Sequence, residues 1–175
     1  MFTIKTERLL LRDLVTEDWK LFLDLMKDED TRYYMGDYIK ADTEEQAKSW
    51  IEEKIRYNSE SPRHSFNLAI ELKGNPIGWI GIGEVDSQDK GDLDFGYALL
   101  RDFWRQGLMT ESLKAVIDYC FKSLPIHRIT GECEEVNLAS MKVMEKAGMT
   151  LQKRYLAEDK TSGKLKEKLR FYIDK

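Results

Sequence analysis

"LDFGYALLRDFWRQGLMTES", residues 93–112, decides how this chain is read. It belongs to an apolar strand, "GDLDFGYALL", then crosses a bulky basic lead-in and one glycine, Gly107. Beyond it a regular amphipathic helix runs from Ser112 to Phe121. A helix entered this abruptly leaves its first N–H groups without partners, and its dipole places roughly half a positive charge there. Two readings stand. One is a plain strand-to-helix turn. The other is an anion site in which the N–H groups of Arg105, Gln106, Gly107, Leu108, Met109 and Thr110 converge, with Gly107 allowing close approach and the Arg105 guanidinium adding charge. The segment is not a P-loop, because a second glycine and a Lys-Ser/Thr pair are missing. "GWIGIGEVD" is not a dinucleotide fingerprint either: its third glycine is absent and no helix follows, so its glycines read as strand bends or bulges.

On the N-terminal side, "TIKTERLLLRDL" reads as a first strand, and "TEDWKLFLDLMKDED" as a helix with Thr16 as N-cap. "RYYMGDYIK" reads as a loop with exposed aromatics. "DTEEQAKSWIEEKIRY" is a second helix, in which Thr43 and Gln46 match a capping box. "SFNLAIELKGNPIGWIGIGEVD" alternates on both sides of "KGNP", which predicts a β-hairpin. On the C-terminal side follow a strand in "HRITGECEEV", a short helix in "NLASMKVMEKAG" closed by Gly148, and a terminal hairpin around "KTSGK". The order is strand, two helices, three strands, helix, strand, helix, two strands: a mixed α/β (α+β) chain, read as one domain over residues 1–175.

The net charge of −4 argues against a nucleic-acid binder driven by phosphate contacts, and weakly favours a cationic substrate. Cys120 and Cys133 have neither metal-ligand spacing nor a disulfide framework, and read as reduced core residues; no metal site is expected. No signal-peptide core or transmembrane run is present, so a cytoplasmic protein without a membrane partner is expected. Lys164, Lys166 and Lys168 alternate along the terminal hairpin, which reads as a protected sheet edge; monomer and homodimer both stay open.

Three segments in order, "LAIELKGNPIGWIGI", "LDFGYALLRDFWRQGLMTES" and "RITGECEEVNLASMKVMEKAGM", resemble the GNAT superfamily of acyl-CoA-dependent N-acetyltransferases, and within it the branch that acetylates ribosomal-protein N-termini (RimJ/RimL-like). The resemblance extends over nearly the whole chain from "TERLLLRDL". It implies a mostly antiparallel, twisted sheet of about seven strands with a splayed V-shaped cleft and about four helices. It also implies acetyl-CoA as cofactor, with the coenzyme A pyrophosphate on the backbone amides of the Gly107 turn. The family pattern Gln/Arg-x-x-Gly-x-Gly/Ala aligns from Trp104 to Met109 and departs from it at both ends. The pantetheine arm is implied to pair with the backbone of Tyr97, Ala98 and Leu99 as an added strand. Asn137 matches an asparagine that contacts that arm, and equally reads as a helix N-cap.

The same resemblance places the base at Glu132 or Asp94, and suggests Ser140 as hydrogen-bonding acid, because the tyrosine position many relatives use is Met144 here. Tyr155 is a remoter option, and His64 and His127 read as structural or exposed. Glu134 shares a strand face with Glu132 by alternation and reads as part of a substrate-attracting surface. The family builds its substrate wall where Tyr33, Tyr34, Asp37 and Tyr38 lie, an aromatic, acidic mouth or a solvated loop. Chemistry narrows the amine. With a pKa near ~7.8, an α-amine is neutral in roughly one molecule in seven at pH 7, a lysine amine near ~10.4 in about one in a few thousand. A protein or peptide N-terminus is therefore the expected acceptor, attacking directly in a ternary complex. A polyamine or other small amine, or a non-catalytic acyl-CoA-binding sensor on the same fold, are the alternatives.

Overall fold

In a computed structural model of the chain, residues 1–35, 39, 41–84, 92–158 and 163–175 are described. Among them, eight strands form one sheet and five α-helices cover it. The elements are β1 (Thr3–Lys5), β2 (Leu9–Asp13), α1 (Trp19–Lys27), α2 (Glu29–Met35), α3 (Glu44–Asn58), β3 (Ser65–Leu72), β4 (Asn75–Glu84) and β5 (Asp92–Leu99). They continue with α4 (Leu108–Ser123), β6 (Arg128–Glu134), α5 (Leu138–Lys146), β7 (Thr150–Glu158) and β8 (Leu165–Asp174). The strand order is β1-β2-β3-β4-β5-β6-β8-β7. Every neighbouring pair is antiparallel except β5–β6, which is parallel, as the crossover through α4 requires.

Alternation along the strands splits the core in two. One face buries Leu68, Ile70, Ile80, Ile129, Leu169 and Phe171 against α4 and the buried Met144 of α5. The opposite face buries Ala69, Trp79 and Ala98 against Phe22 and Leu25 of α1 and Trp50 and Ile51 of α3. Cys120 and Cys133 are both buried as reduced thiols, and burial pushes them up to about 12 and about 11 respectively.

The hairpin at "KGNP", the capping box of Thr43 and Gln46, and Gly148 at φ +94° behind α5 match the sequence reading. Other expectations need correction. The first strand is two, because a turn intervenes in which Thr6 Oγ1 accepts from Leu9 N–H at 2.9 Å. Thr16 is not a helix cap: it lies inside a 3-10 turn, Thr16–Asp18, where the buried Asp18 accepts from Val15 N–H at 2.8 Å and from both terminal nitrogens of Arg12. The start of "RYYMGDYIK" is helical, not loop, since Tyr33, Tyr34 and Met35 complete α2. Tertiary contacts hold that short helix: Arg32 Nε donates to Met26 O at 2.9 Å, and Arg101 bridges Asp28 and Asp30. These two extra elements take the count past seven strands and four helices. Finally, the sheet edge is β7; β8, with Lys166 and Lys168, is sandwiched between β6 and β7.

Candidate active site

The parallel pairing of β5 and β6 covers only Asp92↔Arg128, Leu93↔Ile129 and Asp94↔Thr130, after which the strands part. Packing explains why. Phe95, the next residue, lays its ring on Gly131, where a Cβ would stand 2.3 Å from a ring carbon; the glycine is there for this close approach. Phe95 also stacks on Tyr97 with ring centroids 5.7 Å apart. The Phe95 N–H, deprived of β6, donates instead to Asp94 Oδ1 at 2.7 Å.

The opening exposes a defined row of backbone groups. Leu100 N–H donates to Ile77 O at 2.9 Å, so by antiparallel alternation Ala98 directs its N–H and C=O to β4, whereas Phe95, Tyr97 and Leu99 direct theirs to the cleft. Of the three residues the resemblance implies for the arm, Tyr97 and Leu99 thus turn their backbone groups to the cleft, and Ala98 stands between them with its side chain in the core. Trp104 Nε1 donates to Leu99 O at 2.7 Å, leaving the C=O and N–H of Tyr97 and the N–H of Leu99 facing the gap.

At the end of β5 the chain passes through a short 3-10 turn, Arg101–Phe103, into the glycine turn. Arg105 has φ +60° and Gly107 φ +75°, so left-handed residues bracket Gln106 and the amides fold into a concave nest. Gly107 is the N-cap of α4 and, lacking a side chain, caps none of its amides. The first intrahelical bond is Glu111 N–H to Gly107 O at 3.0 Å, so the N–H groups of Leu108, Met109 and Thr110 have no helical acceptor. Met109 is buried in the core, so its side chain leaves the nest clear. Arg105 is exposed and makes no ion pair among the described residues.

Titratable groups gather on the two faces of the opening. On the α1–α3 face, Asp94 and Glu132 interact electrostatically. Glu132 is claimed by its cross-strand partner Arg170, whose Nε donates to Glu132 Oε1 at 2.6 Å. Among the described residues, Asp94 has no such hydrogen bond to a cation. Burial pushes its carboxyl up to about 6; the Phe95 N–H and Arg170 lower it and the Glu132 charge raises it. On the α4–α5 face, the Tyr97 hydroxyl lies 2.9 Å from Ser140 Oγ, and burial raises the phenol well above its ordinary value, so it stays protonated. The sequence reading used only the backbone of Tyr97. Its hydroxyl meets Ser140 through the approach of α5 to β5, for which the sequence carries no local signal.

Asn137 is the N-cap of α5, its side-chain oxygen accepting from Ser140 N–H at 3.0 Å, which leaves its amide NH₂ free for other contacts. Glu134 is not a free acidic patch: Tyr33 donates to it at 3.1 Å and Lys166 at 2.7 Å, and the Lys166 ammonium sits 4.3 Å from the Tyr33 ring centroid. These contacts pin α2 across the mouth, with Tyr34 edge-on to Tyr33 at 4.9 Å. Asp37 and Tyr38 lie outside the described residues. Tyr155 stands on the edge strand β7, opposite Lys168.

The domain profile described as acetyltransferase (GNAT) domain matches residues 8–150. The chain belongs to the GNAT acetyltransferase family. It is 30% identical over 167 residues to "Uncharacterized N-acetyltransferase p20" of Bacillus licheniformis, covering 94% of this chain and 92% of that one. Among solved structures it is similar to an acetyltransferase (GNAT family) from Bacillus anthracis, with TM-score 0.82, 22% identity, and 99% and 98% of the two chains covered. A Salmonella typhimurium acetyl transferase described as modifying the N-terminal serine of 50S ribosomal subunit protein L7/L12 superposes with TM-score 0.84 at 17% identity, covering 99% of each chain. The protein is an acetyl-CoA-dependent N-acetyltransferase. Its residues fit that cofactor: a nest of uncapped amides suits a pyrophosphate, and the bared edge of β5 suits the amide-rich pantetheine arm.

Proposed function

We propose that this GNAT enzyme acetylates the α-amine of a protein or peptide N-terminus, by direct attack with both substrates bound. The observation that carries this reading is Asp94. It stands where β5 and β6 part, has no hydrogen-bonded cation among the described residues, and is pushed by burial up to a pKa of about 6. A base of that strength is about nine-tenths ionised at pH 7 and is matched to an α-amine near ~7.8, but falls far short of a lysine amine near ~10.4. The Salmonella relative, which acts on a protein N-terminus, supports the same substrate class.

Bound acetyl-CoA supplies the activated thioester carbonyl. Gly107 and its neighbouring amides, with Arg105, hold the pyrophosphate; Tyr97 and Leu99 offer backbone partners to the arm, and the free NH₂ of Asn137 a further contact. Asp94 Oδ2, the oxygen not engaged by Phe95, removes the proton from the incoming ammonium. Glu132, balanced by Arg170, keeps Asp94 basic. On the other face the Tyr97–Ser140 pair offers a hydroxyl proton to the departing sulfur. Tyr33, Tyr34 and Glu134 form the acceptor's side of the mouth. Direct attack is favoured over an acyl-enzyme because burial keeps the nearby Cys133 thiol neutral. Turnover of a free-amine peptide against its N-terminally blocked, lysine-containing counterpart tests this: the reading expects acetylation of the first only, and equal turnover of both would overturn it.

A further inference from the structure

Arg8 lies 99 residues before Gly107 in the loop between β1 and β2, yet it touches the pyrophosphate turn directly. Its Nη1 donates to Gln106 O at 3.0 Å, and its Nη2 is 3.6 Å from where a Cβ on Gly107 would stand. Its Nε donates to Glu111 Oε2 at 2.6 Å, while its backbone N–H and the Thr6 hydroxyl donate to Glu111 Oε1 at 2.9 and 2.6 Å. Two physical consequences follow. A trans peptide points its C=O and N–H in opposite directions, so holding Gln106 O fixes the direction of the Gly107 N–H, away from Arg8. Glu111, in the first turn of α4, is a negative charge close to the site proposed for another anion, and Arg8 neutralises it while the hydrogen bonds turn it toward the β1–β2 loop.

We infer that Arg8 is a positioning residue for coenzyme A: it braces the Gly107 turn from behind and offsets Glu111, without itself contacting a phosphate. The inference rests on the placement of the pyrophosphate at that turn. Removing Arg8 frees the Gln106–Gly107 peptide to rotate and exposes the anion to an uncompensated carboxylate. Lysine restores the charge, but a single ammonium lacks the planar fork that engages Glu111 and Gln106 together. Glu111→Gln removes the repulsion by another route.

The test is calorimetric titration of the intact protein with coenzyme A and, separately, with pantetheine, which lacks the pyrophosphate. For Arg8→Ala the expected result is about tenfold weaker binding of coenzyme A and unchanged binding of pantetheine. Arg8→Lys should fall between Arg8→Ala and wild type, and Arg8→Ala/Glu111→Gln should recover part of the loss. In turnover, KM for acetyl-CoA should rise while kcat holds. Coenzyme A binding by folded Arg8→Ala equal to wild type, or equal weakening for both ligands, overturns the inference. If Arg8→Ala does not fold by circular dichroism, the same two-ligand comparison on Arg8→Lys decides. Wild type binding both ligands equally well would instead overturn the placement of the pyrophosphate itself.

Discussion

Replacing Asp94 by Asn should make the enzyme more stable and nearly inactive, and the two effects share one cause. Asn retains an oxygen for the Phe95 N–H bond, so the principal change is loss of an ionisable group held in a partly dry site. Burial lifts the carboxyl from 3.8 to about 6, so the folded state binds its proton more tightly than the unfolded chain does. At about 1.36 kcal/mol per pH unit, ionising Asp94 in the fold costs up to about 3 kcal/mol, reduced toward about 1–2 by solvent at the cleft mouth. The sign follows from linkage: the wild type's stability is full below the unfolded value near ~4 and is lost as pH rises through about 6. The Asn variant loses nothing over that window. Its advantage should therefore be absent near pH 4, complete by pH 7–8, and visible as a Tm higher by about 3–8 °C for a chain of this length. Acetyl transfer at pH 7 should fall by about 10²-fold or more, the contribution of a positioned general base, and the wild type's acid limb near pH 6 should vanish from the kcat/KM profile. Thermal melts at pH 4.5 and 8, with initial rates across pH 5–9, read both effects. A Tm change independent of pH, or a variant retaining rates within a few-fold of wild type, would refute the assignment of the raised carboxyl and of the base.

Arg170→Met should raise the Asp94 limb above about 6, because Arg170 lowers that carboxyl directly and also balances Glu132; a pH–rate profile unmoved by the substitution would separate the two carboxylates. Tyr97→Phe and Ser140→Ala should each lower kcat with little change in KM for acetyl-CoA. Their double mutant should be much less than additive, as expected for one hydrogen-bonded pair; additive losses would show independent roles. Gly131→Ala should impair the cleft, since a methyl there meets the Phe95 ring at 2.3 Å; Phe95→Leu in the same chain should restore part of the activity, and no rescue would contradict the wedge.

Long periodic elements were legible in the sequence because their hydrophobic spacing matches their burial. The β3–β4 hairpin and α3, with its capping box, follow directly from alternation and caps. The short helix α2 was not legible: "EDTRYYM" has little helical pattern, and Arg101, from far along the chain, braces its start. The break between β1 and β2 is likewise held by a distant residue, Glu111, through Thr6 and Arg8. The same division runs through the site. Gly107 announces itself, because only a backbone demand explains a glycine in front of that helix. The distinction between Asp94 and Glu132 is invisible without β8, because Arg170 lies 38 residues beyond the carboxylate it claims. Tyr97 and Ser140 meet across a separation of 43 residues.

The central claim is that Asp94 serves an α-amine docked against acetyl-CoA in the β5–β6 cleft. The most direct test is to incubate the enzyme and acetyl-CoA with a peptide mixture carrying free N-termini and internal lysines, together with a polyamine. Tandem mass spectrometry then locates the nitrogen that gains the acetyl group. The account predicts acetyl on the α-amine alone, released thiol in equal amount, and loss of both in Asp94→Asn. Acetyl confined to lysine side chains or to the polyamine, or α-acetylation undiminished in Asp94→Asn, would contradict it.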